Sequence, residues 1–287
     1  MAQIIASGVA MGCIYALVGL AFILIYNASG GLNFAQGEFV MLGAFAFFTA
    51  TTIQLPYWAA VVVSVSVIGG LGWLFQKFLF YPLKDRSFLY FVIVTIGFSI
   101  FARNLALIVW GPNPLKVPPL TSVDVVSLGG VAMSPENIAI ICVTACLLLL
   151  QYLLFFHTDL GRKLRATAQN AQTAQLMGIY PRRMIGITFI MSGAIAGFAG
   201  VLLAPIFLID TDMGGAVLLK SFIAVVIGGF GSIPGVVIGG IGIGLIEILT
   251  AVYVSSVYKD AICIAILIVF LIAFPRGLLG EAVKERG

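Results

Sequence analysis

Nine apolar runs, at about 3–26, 34–53, 57–80, 88–110, 136–156, 184–208, 217–230, 236–254 and 259–275, fill most of this 287-residue chain. They leave few architectures open. In hydrocarbon every backbone N–H and C=O must be satisfied within the protein, which admits only helices and closed barrels. The runs lack the alternation of period two that a membrane barrel needs. An all-α, polytopic transmembrane helical bundle of eight or nine spans is therefore expected, as one transmembrane domain over residues 1–287. Composition agrees: 61% of residues are hydrophobic and 9% charged, against roughly 25% charged in soluble domains. The run 217–230 is too short to cross a bilayer comfortably, since about 20 residues are needed. The run 34–53 opens on Asn33, Gln36 and Glu38, so its apolar part is short as well. No basic segment precedes the first run and no small-residue cleavage site follows it, so 3–26 reads as a retained span and not a removed signal.

One polar stretch interrupts this pattern. Residues 157–183 hold Arg162, Lys163, Arg165, Arg182 and Arg183 among amides, and such a segment belongs in water. Leu160, Leu164, Ala168 and Ala171 recur at helical spacing and form one apolar stripe. Gly178 should stop the helix, and Pro181 bars its continuation. A short amphipathic helix of this kind can lie on lipid or dock in another protein's groove. Its stripe of mostly small residues, without Trp or Phe, favours docking. Basic residues also cluster at Lys77, Lys84 and Arg86 and at Arg276, Lys284 and Arg286, and the positive-inside rule makes all three clusters cytoplasmic. The C-terminus is then cytoplasmic. The Pro-rich loop 111–135 (Pro112, Pro114, Pro118, Pro119) and the acidic turn at Asp210 and Asp212 should share the opposite side. A net charge of +4, distributed by topology, gives no indication of nucleic-acid binding.

A shift of 185 residues aligns the first two runs with the sixth and seventh. Ser7 falls on Ser192, Gly8 on Gly193, Gly12 on Gly197, Gly30 on Gly215 and Gly43 on Gly228. By span count the copies would run in opposite directions, an inverted repeat of the kind that marks a transport pathway. Gly8/Gly12, Gly193/Gly197, Gly235/Gly239 and Gly240/Gly244 have the spacing at which helix backbones approach closely. Gly228-Gly229-Phe230-Gly231-Ser232-Ile233-Pro234-Gly235 should break a span and turn the chain.

No catalytic set stands out. Gly215–Ser221 reads Gly-Ala-Val-Leu-Leu-Lys-Ser, but Leu219 occupies the place of a glycine that a phosphate-binding loop needs, and Lys220 should snorkel to the interface. The chain has one histidine, His157, so neither a Ser-His-Asp set nor a zinc site with Cys13, Cys142, Cys146 and Cys263 is expected. The cysteines should pack as small hydrophobes. Glu38, Arg103 and Glu247 are intramembrane ionisable residues, each costing about 2.5–3.5 kcal/mol near a helix centre on insertion scales. They should face the bundle interior. Two readings are open: a helix–helix ion pair, Arg103 with Glu247, or a polar translocation path of Asn33, Gln36, Glu38, Arg103 and Glu247.

Three passages carry a family resemblance: Tyr26-Asn27-Ala28-Ser29-Gly30-Gly31-Leu32-Asn33-Phe34-Ala35-Gln36-Gly37-Glu38, the stretch Gly161 to Ile179, and Gly228 to Gly240. With them the chain resembles the permease subunits of ABC importers for branched-chain amino acids, in particular the smaller of the two paired permeases. The resemblance implies a type II ABC-importer fold in a bacterial inner membrane. It implies a homologous permease, two cytoplasmic ATPases and a periplasmic binding protein as partners, with ATP and Mg on the ATPases and no cofactor on this chain. The loop 157–183 would then hold the coupling helix, with Arg162, Leu164, Arg165, Ala168, Asn170 and Gly178 serving the ATPase contact. Many importer permeases open this loop with Glu-Ala-Ala; here it reads Ala166-Thr167-Ala168-Gln169-Asn170. The solutes implied are leucine, isoleucine and valine, with urea or another small neutral amide as the alternative. A partner-free secondary transporter or channel, or a membrane-embedded enzyme, are the rivals from other classes.

Overall fold

The computed structural model describes residues 1–84, 86–118, 126–128, 131–274 and 277–279. Each apolar run becomes a helix. These are α1 (Ala2–Ser29), α2 (Gln36–Thr52), α3 (Tyr57–Phe75), α4 (Phe88–Trp110), α5 (Pro135–His157), α8 (Pro181–Leu203), α9 (Met213–Gly228), α10 (Ile233–Tyr253) and α11 (Lys259–Ala273). α3 continues through a π-helical turn, Gln76–Phe80, and a 3-10 turn, Tyr81–Leu83. Among the described residues six helices are long and apolar enough to cross a membrane, and α9 is a shorter apolar one. At 1.5 Å per residue α9 spans only about 24 Å. α1 is almost wholly buried, whereas α4 and α5 turn most of their surface outward. Cys142 and Cys146 lie on that outward surface of α5, so only Cys13 and Cys263 pack inside as expected.

Two short helices, α6 (Asp159–Gln169) and α7 (Ala171–Leu176), form the polar stretch. The single helix expected there is broken at Asn170, whose backbone is extended (φ −158, ψ 104) and whose side chain accepts a hydrogen bond from Thr173 N at 2.9 Å. Asn gains more by capping a new helix than by continuing the old one. Gly178 (φ +76) then takes the left-handed conformation that ends the hairpin. A small antiparallel pair, β1 (Val126–Leu128) with β2 (Val131–Met133), lies in the loop before α5.

The chain divides into two compact units. One comprises 1–23, 120–144 and 217–287, the other 24–119 and 145–216. The repeat is visible in how each is built. In the first unit α1 packs on α10 glycine against glycine: a Cβ on Gly244 would stand 2.3 Å from Gly12 N and 2.5 Å from Gly8 O. In the second, α8, which the repeat pairs with α1, packs on α3 through Gly193 and Gly197: a Cβ on Gly193 would stand 2.7 Å from Ile68 O. Gly43 on α2 adds a third helix at Gly197, where its Cβ would stand 2.6 Å from the carbonyl oxygen. In hydrocarbon, where apolar surface gains nothing by leaving lipid, such approach is what holds helices together. Gly244→Ala is therefore expected to push α1 from α10 and cost about 1–3 kcal/mol as overpacking. Gly242→Ala, with nothing within 4 Å of its Cβ, should be neutral or slightly stabilising, and thermal unfolding in detergent distinguishes the two.

The span break falls where the glycines placed it. α9 ends at Gly228, Gly229 and Gly231 have φ of 98° and 90°, and Ser232 caps α10 by accepting from Gly235 N at 3.2 Å. In the second unit the Pro-rich loop joins the acidic turn through a two-way bridge, Leu115 N to Ile209 O at 2.9 Å and Ile209 N to Leu115 O at 2.8 Å. The two loops expected on one side thus meet. Arg182 lies over the Tyr81 ring, 4.2 Å from its centroid, which brings two of the three basic clusters to one end of this unit. Arg276, Lys284 and Arg286 lie outside the described residues, as does Pro119.

Candidate functional site

The buried charged residues of the membrane helices form two clusters, one in each unit. In the second unit, Gly30 (φ +70) ends α1 and the chain turns into α2 through Asn33. Asn33 Oδ1 accepts from Ala35 N at 3.1 Å, its Nδ2 donates to Gln36 Oε1 at 3.3 Å, and Gln36 Nε2 donates to Ser192 O on α8 at 3.3 Å. Ser192 Oγ returns a hydrogen bond to Gln36 Oε1 at 3.3 Å. Asn33 and Gln36 are fully buried, so this knot ties the start of α2 to α8. Two residues on, Glu38 is 2% exposed. Its Oε1 accepts from Ser99 Oγ at 2.7 Å and stands 3.9 Å from Arg103. Its Oε2 is buried without a hydrogen-bond partner among the described residues. Arg103, half-buried, also pairs with Asp212 at 3.0 Å. Here the opening turn of α9 comes close: a Cβ on Gly214 would stand 3.2 Å from Glu38 Oε2, and one on Gly215 3.1 Å from an Arg103 nitrogen.

The other cluster belongs to the first unit. Glu247, 4% exposed on α10, accepts from the Tyr15 hydroxyl and from Lys220, and lies 3.1 Å from Lys259. Lys220 lies 3.0 Å from Asp260 as well. Four helices, α1, α9, α10 and α11, are thus joined by two cations and two carboxylates whose formal charges cancel. The expected Arg103–Glu247 pair is replaced by these two sets: Arg103 has Glu38 and Asp212, and Glu247 has Lys220 and Lys259. Lys220 does not snorkel; it is buried, and the stretch that half-resembled a phosphate loop is continuous helix. The charge count carried a signal for this. One carboxylate and one lysine in neighbouring apolar runs satisfy each other at lower cost than two separate desolvated charges. Tyr15, Ser99, Asp212, Lys259 and Asp260 had no such mark in the sequence.

The polar hairpin presents a different face. Leu164 is buried, and Gly161 is seated so tightly under the end of α5 that a Cβ would stand 2.2 Å from Leu154 O. Arg165 lies over the Phe156 ring, 4.8 Å from its centroid. Arg162 pairs with Asp159 at the surface, Ala168 is half-buried, and Asn170 caps α7. α6 is therefore bolted to the second unit. The outward surface belongs to α7 and the turn after it, where Leu176 and Met177 are 87% and 79% exposed. The apolar period used in the sequence ends before these two residues, so they were missed. Asn170→Ala should cost about 1 kcal/mol locally by uncapping α7, read as faster amide exchange over 171–177 with the rest of the chain unchanged. Among the described residues no group of three His, Cys, Asp or Glu side chains could hold a metal ion.

The profile of the family described as branched-chain amino acid transport system / permease component matches residues 4–271. The chain belongs to that family. It is 32% identical to the high-affinity branched-chain amino acid transport system permease protein LivH of Escherichia coli K12, over 98% of this chain and 96% of that protein. It is 31% identical to the permease protein BraD of the corresponding Pseudomonas aeruginosa system, over 99% of this chain and 97% of that one. Similarity to permease protein LivM of Escherichia coli K12 is lower, 27% over 67% of this chain and 50% of LivM, so LivM is the longer protein and this chain matches the LivH-like subunit in size. Among solved structures, PsaBC from Streptococcus pneumoniae in complex with Fab shares the fold, with a TM-score of 0.53, 10% identity and coverage of 94% of this chain and 90% of that one. A multi-pass membrane permease is thereby established.

Proposed function

We propose that this chain is the smaller permease of an ATP-driven importer for leucine, isoleucine and valine in a bacterial inner membrane. The observation that carries the reading is the near full-length similarity to LivH and BraD. Its partners are a longer homologous permease, two cytoplasmic ATPases that hold ATP and Mg, and a periplasmic binding protein that delivers the solute. The chain is non-catalytic. The α6–α7 hairpin is its coupling element, with Leu176 and Met177 as the apolar tip and Arg162, Arg165, Asn170 and Gly178 shaping the hairpin behind them. In the second unit Asn33, Gln36 and Glu38 are closed off in the state described and, with Arg103, line a polar path when the helices part, and Glu247 secures the first unit. Solute moves by alternating access, which ATP binding can drive only through different interaction energies with the two states.

Reconstitution tests this. Proteoliposomes holding the full complex are expected to accumulate labelled leucine only with internal ATP and the binding protein, and to ignore urea. Uptake by this chain alone would support a partner-free transporter instead, and urea uptake would move the substrate class to small amides.

A further inference from the structure

At the basic end of the second unit lies a cavity of about 600 Å³, lined by Trp73, Gln76, Lys77, Arg182, Arg183, Gly186, Ile187 and Ile190. Its size falls within the ~300–1,000 Å³ of small-molecule sites. Three features set it apart from an ordinary groove between helices. Its cations, Lys77, Arg182 and Arg183, are held by rings: Lys77 over Trp73 at 4.9 Å, Arg182 over Tyr81 at 4.2 Å and Arg183 over Tyr180 at 5.0 Å. None of the three forms a salt bridge among the described residues, so no described carboxylate offsets their charge. Gln76, 4% exposed, lies in the wall with its Nε2 buried behind the surface and without a hydrogen-bond partner among the described residues, so the wall there is polar. Arg182 and Arg183 stand in the opening turn of α8, where the helix dipole adds to the attraction for an anion.

The opposite wall is oily. Ile187 and Ile190 continue up α8, and Trp73 and Leu74 up α3, with Trp73, Leu74 and Ile190 exposed at the outer surface of these membrane helices. Gly186 keeps the floor open, since its missing Cβ would meet nothing nearer than 3.6 Å, at Gln76 Oε1. An anion bound here has its charge at the end of the bundle and its apolar part along the helices. We propose that this cavity is a specific site for an anionic phospholipid, with the phosphodiester held by Arg182, Arg183 and Lys77 and an acyl chain laid along Trp73, Ile187 and Ile190. Basic pockets between membrane helices are suited to such headgroups, and the planar guanidinium fork matches phosphate oxygens.

The test uses the full importer complex, delipidated in mild detergent and titrated with phosphatidylglycerol, zwitterionic phosphatidylethanolamine or soluble glycerol 3-phosphate. Retained lipid is counted by native mass spectrometry. One phosphatidylglycerol per copy of this chain is expected, with at least tenfold preference over phosphatidylethanolamine and no displacement by glycerol 3-phosphate. Arg182→Ala with Arg183→Ala should weaken it tenfold or more. Gly186→Leu, which fills the cavity and keeps all three cations, should do the same. Should the double variant fail to assemble, Lys77→Gln on an exposed side chain gives the same reading with a two- to fivefold loss. Equal retention of the two lipids, unchanged retention in Gly186→Leu, or displacement by glycerol 3-phosphate would each overturn the proposal.

Discussion

Glu247→Leu is expected to leave little folded protein in the membrane. The carboxylate it removes is the common acceptor for Tyr15, Lys220 and Lys259, and among the described residues Lys220 would keep as an anionic partner only Asp260, which is itself exposed. Breaking a buried pair from one side costs about 3–5 kcal/mol because a desolvated charge is left behind. A domain has about 5–15 kcal/mol of stability in all. The same logic predicts rescue: Lys220→Met added to Glu247→Leu removes both desolvated charges, and the double variant should regain most of the loss. Glu247→Gln should fall between, since the amide oxygen still accepts from the Tyr15 hydroxyl. Heating detergent extracts and following the monodisperse fraction by size exclusion measures all three. Wild-type stability in Glu247→Leu, or a double variant worse than the single one, would contradict the assignment of Glu247 as the anchor of four helices.

Replacing Leu176 and Met177 together by Asp is expected to abolish ATP-driven uptake while leaving the chain folded. Both side chains are largely exposed at the tip of α7, so the change removes little internal contact, and surface substitutions usually cost within about 0.5 kcal/mol. What it removes is the apolar anchor, and interface hot spots of this kind are worth about 2 kcal/mol or more each. Two of them would weaken ATPase binding roughly a thousandfold, by the relation of 1.4 kcal/mol to a factor of ten. Leu164→Asp provides the contrast. It should unfold the hairpin, because Leu164 is buried against the unit that carries it. Co-purification of the ATPase, with thermal unfolding of the permease alone, separates loss of docking from loss of fold.

The helices were legible because the bilayer fixes both their length and their hydrogen bonding. Every apolar run became a helix, and α4 ends at the residues the hydropathy gave. The glycine spacings were legible as close approach for the same reason. Which glycine meets which could not be read, since Gly12 finds Gly240 and Gly244 far along the chain. Charge pairing was half legible. A buried Glu247 demands a cation, but the sequence offered both Arg103 and Lys220, and only the packing of α9 beside α10 decides between them. The hairpin failed at one residue: apolar periodicity ran on through Asn170, whereas that side chain's local capping bond outweighed one more turn of a marginal helix.

Coupling requires that the hairpin lie on the cytoplasmic side of the membrane and that the ATPase cover it there. A single cysteine at position 177, in a chain cleared of its four native cysteines, can be labelled with a membrane-impermeant maleimide. The coupling role predicts no labelling in intact spheroplasts, strong labelling in inside-out vesicles stripped of the ATPase, and at least tenfold protection when the ATPase is restored. Labelling of intact spheroplasts, or no protection by the ATPase, would contradict it.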